Sequence, residues 1–529
     1  MIRPAYFLYG FIVLFIFFLF AGAIISPTKF NSDPGLGFLD LINFQKGGKF
    51  QYHSEPAIDN LRNCVQTRTT WWSPGQWFFI YLVNLTGLSL GKSISVIVLI
   101  ATVLGLVGWM RIYRWFGFTE KEVWLSGVLI LVSRYLFSAF QIYPGASLLE
   151  FAAAPWVLIC WLHTEQKNIW IQLIVLFPII IVAYFIKSSM LIFILGMVAS
   201  VASIFRLRSV PWWTLTSLFI VFLLGKYCCD WLFVKGGYTP FSYPGHLISL
   251  NRGNILEQIQ SLLFILSGPF LSSIGFDDYI HFFLQKPGHI IFTNGHPVML
   301  FIYCTSFIVF FFLLQKIISH RKEYSEKYID LLLPICSIFI VFFLYAFLFS
   351  KSISGNEESR HFRLAGLLLL PLMASSLIKM FRYLFWIIPG VLFIYACFSY
   401  VNKLKEHKVI SVQYQVPYNE MSSDAEYRVF REAAEKADIT YVIYAEQKYE
   451  LEHCKTIYNQ DDFVPLDVIR SRPKIKVKDM QLVFLLPHRF ATNGKREAIL
   501  ANFTEDNNNR KAERRIRELP NWELITINY

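Results

Sequence analysis

The sequence predicts a polytopic α-helical membrane protein with an α/β domain at its C-terminal end. Three observations lead there. Of 529 residues, 55% are hydrophobic and 16% charged, against roughly 25% charged in soluble domains. Apolar runs of bilayer-spanning length recur through residues 1–401. From residue 402 onward these runs give way to short strand and helix patterns, and the charge evens out at 21 Lys and Arg against 20 Asp and Glu. The net charge of +12 is therefore concentrated in the membrane part. There it reads as topology and not as nucleic-acid binding.

Residues 5–25, AYFLYGFIVLFIFFLFAGAII, form the first expected span. The run is long for a signal peptide and no cleavage site follows it. Further runs lie near 93–110, 122–139, 146–162, 169–186, 188–205, 212–233, 297–317, 329–349, 362–378 and 383–401, which makes about 11 spans. Residues 76–90 are too short to span and are expected to lie as an interfacial or re-entrant helix. With the N-terminus inside, the cytoplasmic turns hold Arg111, Arg114, Lys121, Lys167, Arg206, Arg208, Lys316, Arg321, Lys322, Lys327, Lys379 and Arg382, as the positive-inside rule requires. Loops 26–92, 234–296 and 350–361 then face outward, and so does the tail. The expected domains are a transmembrane domain over 1–401 and an extracytoplasmic α/β domain over 402–529. The expected location is a cell (inner) membrane.

In the tail, residues 422–437 read as an amphipathic helix with a Ser cap. DITYVIYA (438–445), MQLVFLLP (480–487) and WELITINY (522–529) read as strands. NRKAERRIREL (509–519) reads as a helix. Alternating strands and helices predict a small α/β domain. Eight cysteines are scattered through the chain without metal-ligand spacing. Cys64 and Cys454 fall in two external segments and could pair, but free thiols are expected.

Candidate site residues gather on the expected outer face. NSDPGLGFLDLINFQKGG (31–48) puts Asp33 and Asp40 just after the first span, with Gly and Pro expected to hold a non-helical path near the bilayer; Asp33-Pro34-Gly35 suits a turn. Glu55, Asp59, Arg62 and Arg68 follow, then TTWWSPGQWFF (69–79). Lys187 stands between two apolar runs in AYFIKSSMLIF (183–193). Asp277 and Asp278 lie in loop 234–296 beside the amphipathic stretch 255–266. Arg360, His361 and Arg363 open the helix in GNEESRHFRLAGLLLLPL (355–372). A carboxylate here can take a proton from a hydroxyl. The cations can hold a phosphate. Each piece also has a plainer reading: Lys187 can snorkel to the interface, and Lys226 and Asp230 have the spacing of an i,i+4 pair.

In their order these features resemble the GT-C glycosyltransferases that use polyprenyl-phosphate sugars. The resemblance covers roughly residues 1–400. It runs from the first helix and its acidic loop through WWSPGQWFFIYLVNLTGLSLG, where the family shows a PPLY-like start to a short helix, to LGLVGWMRIYRWFGF. It continues with a TK-type turn at Lys187 and ends at SRHFRLAGLLLLPL. Departures are Asp-Pro in place of an Asp-Glu pair, His361 in place of a tyrosine, and QIYPGASLLEF, where the only nearby acid is Glu150, inside the helix.

The resemblance implies sugar transfer, with inversion, from a polyprenyl-phosphate donor to a lipid, glycan or protein acceptor at the outer membrane surface. Asp33 matches the catalytic carboxylate and Asp40 is expected to orient the site. Arg360 matches an arginine that holds the donor phosphate, assisted by Lys187, His361, Arg363 and Arg62. Membrane lipids are the other expected partners, and a divalent metal is a cofactor the resemblance allows. Two other classes stand beside this one. A transporter or flippase of a lipid-linked or anionic substrate should show matching halves and mid-membrane charges. A cell-envelope scaffold should carry its function in the tail.

Overall fold

The computed structural model describes residues 4–25, 32–69, 73–132, 146–164, 167–201, 211–235, 255–275, 297–319, 325–350, 359–381, 387–405, 409–410, 417–418, 424–459, 461–462, 464–505 and 513–529. Helix α1 (Pro4–Ile25) leads into loop 1, which is folded into α2 (Ser32–Gln45), a hairpin of β1 (Tyr52–Pro56) and β2 (Cys64–Arg68), and α3 (Gly75–Asn84). The bundle continues with α4 (Leu90–Trp115), α5 (Glu120–Val132), α6 (Ala146–Thr164), α7 (Ile169–Ile186), α8 (Met190–Ser200) and α9 (Trp212–Phe233). It closes with α10 (Ile255–Ser273), α11 (Pro297–Ser319), α12 (Glu326–Tyr345), α13 (Arg363–Phe381) and α14 (Ile387–Lys405). Among the described residues, eight helices are long and apolar enough to cross a membrane, namely α4, α6, α7 and α9 to α13. Residues 8–23 of α1, and α8, are shorter apolar helices.

Small residues let these helices approach closely, as is usual where lipid offers no hydrophobic drive between helices. Gly105 and Gly108 of α4 face α6, where an added Cβ would lie 2.1 Å from Phe151 and 2.6 Å from Pro155. Helix α10 begins with the amphipathic stretch 255–266 and packs among α11, α12 and α13, with Phe264 5.4 Å from Tyr303. Asp277 and Asp278 lie outside the described residues.

The stretch after the first span departs from the expected non-helical path. Ser32–Gln45 is an α-helix. Pro34 falls in its first turn, where the missing N–H has no intrahelical partner to lose. Phe38, Leu39, Leu41 and Ile42 are buried and hold the helix against the loop core.

The tail contains a five-stranded sheet whose strands lie in the order Glu513–Glu518, Trp522–Asn528, Gln481–Pro487, Ile439–Val442 and Thr456–Tyr458. After β3 (Val409–Ile410), β4 (Pro417–Tyr418) and α15 (Asp424–Lys436) come β5 (Ile439–Val442), α16 (Ala445–Lys448) and β6 (Thr456–Tyr458). Strand β7 (Ile475–Val477) pairs with β9 (Phe503–Glu505) apart from the main sheet. Strand β8 (Gln481–Pro487) runs parallel to β5 and antiparallel to β11 (Trp522–Asn528). The helix expected over 509–519 is corrected for its described part: Glu513–Glu518 is β10, paired antiparallel with β11. All its side chains are exposed. It is an edge strand protected by Arg and Glu, and a single isoleucine among charges gives no strand alternation to read.

Candidate active site

Loop 1 joins three parts of the molecule. At the bundle, Gly75 opens α3 directly against the end of α7, where an added Cβ would be 2.6 Å from Phe185 O. Ser73 Oγ accepts from the Ser188 N–H at 3.0 Å. Arg68 donates to Lys235 O at 2.6 Å and to Leu232 O, a cation placed at the C-terminal end of α9. The ends of α7 and α9 and the beginnings of α4, α6 and α8 therefore meet beneath loop 1 on one face.

Lys187 sits at this meeting point. It ends α7 in an extended conformation, and α8 starts three residues later. Its Nζ lies 2.6 Å from Glu150 Oε2 and donates to Ser147 Oγ at 2.9 Å, both from the first turns of α6. Ser189 Oγ donates to the other Glu150 oxygen at 3.3 Å. The ion pair is largely buried, with side chains 17% and 9% exposed. Charges at such a depth are costly unless paired, and are functional candidates by default. Glu150 is the acid that the sequence left inside a helix; only the fold brings it to Lys187.

A second cluster fills loop 1. Asp40 accepts from Thr69 Oγ1 at 2.7 Å and Glu55 from Thr67 Oγ1 at 2.8 Å. His53 lies between them, its Nδ1 3.6 Å from Asp40 and its Nε2 3.6 Å from Glu55. Burial opposes charge on His53, but the Asp40 and Glu55 carboxylates on either side outweigh it and push the imidazole up to about 9. Burial raises the Asp40 carboxyl, whereas Glu55, against its own burial, is held below its usual range by His53. Lys448 of the tail donates to Ser54 O at 3.0 Å, and burial brings its ammonium down to about 8.

Asp33 lies in the first turn of α2, and its side chain is outside the described residues. Arg360 lies in the 3-10 turn Ser359–Phe362 that opens α13, and its side chain is likewise not described. His361 packs 5.7 Å from the Phe343 ring, and Arg363 is the first residue of α13. Arg62 reaches the tail, donating to Lys478 O and Asp479 O at 3.3 and 3.2 Å. Cys64 and Cys454 are joined in a disulfide, with Cα atoms 5.1 Å apart. That corrects the expectation of free thiols: the loop 1 hairpin and the turn before β6 are neighbours in space, which a separation of 390 residues conceals. Lys226 pairs with Asp230, as their spacing predicts. Among the described residues, no group of three or more His, Cys, Asp or Glu side chains could hold a metal ion.

No family model matches the chain and no curated protein does. Among solved structures, the chain is similar to the crystal structure of ArnT from Cupriavidus metallidurans bound to undecaprenyl phosphate, at 10% identity and a TM-score of 0.42, covering 99% of this chain and 98% of that one. It is also similar to the apo crystal structure of the same protein, at 11% identity and a TM-score of 0.43, covering 98% of each chain.

Proposed function

We propose that this protein transfers a sugar from a polyprenyl-phosphate donor to a lipid, glycan or protein acceptor, at the membrane face that carries loop 1 and the tail. The observation that supports it most is the buried Lys187–Glu150 pair at the break between α7 and α8, directly beneath loop 1. A cation kept there by a counter-carboxylate is available to an anionic headgroup whose lipid tail stays in the bilayer.

In the reaction, Asp33 takes the proton of the acceptor hydroxyl. The acceptor oxygen bonds to the anomeric carbon as the carbon–phosphate-oxygen bond breaks, with inversion. The charge that develops on the departing polyprenyl phosphate is stabilised by Lys187 and Arg360. His361 stands in the same turn as Arg360, and Arg363 follows it as the first residue of α13. Asp40 acts from inside the loop core by holding α2. The face is extracytoplasmic, because a disulfide persists in an oxidising compartment and because, among the described residues, Arg111, Arg114, Lys121 and Lys167 stand at the helix ends away from loop 1. The N-terminus is then cytoplasmic, in a multi-pass inner-membrane arrangement.

The test is Asp33→Asn, which keeps the side chain's shape and removes its proton affinity. Sugar release from a polyprenyl-phosphate donor in liposomes is expected to fall about 10²–10⁴-fold, with insertion and donor binding retained. Near-normal release by Asp33→Asn rules out this base.

A further inference from the structure

Loop 1 does not balance its own buried charge. Asp40 and Glu55 bring two carboxylates into its core, 1% and 2% exposed. Against them the loop sets one imidazole, His53, 3.6 Å from each. The second cation comes from the tail. Lys448 is fully buried, its Nζ lies on Ser54 O of β1, and Glu55 is the charge that favours its protonated form. With the four groups in their charged forms the cluster is neutral only when the tail is in place. A carboxylate buried without its cation is strongly unfavourable.

The same contact reaches α2. Tyr449, next to Lys448, lies 5.9 Å ring to ring from Phe38 of α2, and Thr69 ties the end of the hairpin to Asp40 on that helix. The Cys64–Cys454 bond and the Arg62 contacts join the two parts around this point. His453, also facing the cluster, is kept neutral by burial and by the charge of Lys448.

We propose that Lys448 is a positioning residue: it completes the buried charge cluster of loop 1, and so fixes α2, the helix whose first turn carries Asp33. The tail is thereby a working part of the membrane domain's site. The consequence for turnover rests on the sugar-transfer reading above; the fixing of α2 does not.

Hydrogen exchange on the full-length protein in detergent tests it. In Lys448→Met, amide protection in β1 and α2 is expected to fall at least tenfold while protection in β8 stays as in the wild type. Adding Glu55→Gln, which removes the carboxylate left unpaired, is expected to restore most of the protection, because a missing pair costs less than a missing partner. With a polyprenyl-phosphate sugar, Lys448→Met is expected to lower kcat and leave the donor KM unchanged. Unchanged protection of β1 and α2 overturns the proposal. So does a loss that extends to β8 and is not repaired by the double variant. If the wild type uses no such donor while the exchange pattern holds, the sugar-transfer reading fails and the positioning of α2 by Lys448 stands.

Discussion

Lys187 and Glu150 form an ion pair of 2.6 Å between the end of one apolar helix and the first turns of another. The expected consequence is a cation held ready and not merely buried. Lys187→Met should lower kcat/KM for the lipid-linked donor by about tenfold or more, since a charge-assisted hydrogen bond is worth about 1.5–3 kcal/mol. Glu150→Gln should cost less, and the double variant no more than Lys187→Met alone. Initial rates at limiting donor in liposomes decide it; wild-type rates for Lys187→Met sink the phosphate role.

Gly75 is the backbone contact that seats loop 1 on the bundle. A methyl group there would press on Phe185 O and on Ile186 Cα at 3.0 Å, and neither backbone atom can swing aside. Gly75→Ala is expected to destabilise the seating by about 1–3 kcal/mol. Thermal unfolding in detergent should register this as a lower midpoint, together with loss of transfer activity.

The disulfide gives a direct test of topology. Neither Cys64 nor Cys454 should react with a maleimide before reduction. After mild reduction of intact cells, a membrane-impermeant maleimide should label both. Labelling before reduction counts against the bond, and labelling only after lysis counts against an extracytoplasmic face.

His53 should make the docking of the tail pH-dependent. Its folded value, about 9, exceeds its ordinary 6.5, so its stabilisation is complete below pH 6.5 and is lost as pH rises through 9. Lys448 acts in the opposite sense. Its folded value of about 8 lies below 10.5, so stability is regained between these two. The interval from 6.5 to 8 therefore belongs to His53 among the two. Protease resistance of the loop 1–tail unit should decline there in the wild type, and the decline should be absent in His53→Gln.

Much of the fold was legible because a bilayer imposes its length on a sequence. The runs around Leu90–Trp115, Ile169–Ile186 and Pro297–Ser319 are such cases, and the strands at 439–442, 481–487 and 522–528 alternate or run apolar in the ordinary way. Residues 513–518 were misread because pairing with β11, and not their own side chains, makes them a strand. Asp33-Pro34-Gly35 reads locally as a turn, yet burial of the apolar residues behind it carries the helix through. Asp40, Lys187 and Glu150 stood out singly in the sequence, but the Lys187–Glu150 pairing and the Asp40–His53–Glu55–Lys448 cluster were not legible. Each joins residues whose neighbourhood exists only after the chain has folded back on itself, across 37 positions in one case and 394 in the other.

The bond between Cys64 and Cys454 also sets a timetable. At a synthesis rate of about 5–20 residues per second, the 390 residues between the two cysteines hold Cys64 in waiting for on the order of 20–80 s before its partner exists. During that interval the ribosome makes the other six cysteines, at positions 160, 228, 229, 304, 336 and 397, each within a helix of the bundle. Correct pairing must then wait until the bundle helices that lie between the two cysteines in the sequence have been made. The loop 1 hairpin is therefore fastened to the tail only where Cys64 is kept from those six thiols until residue 454 has been made.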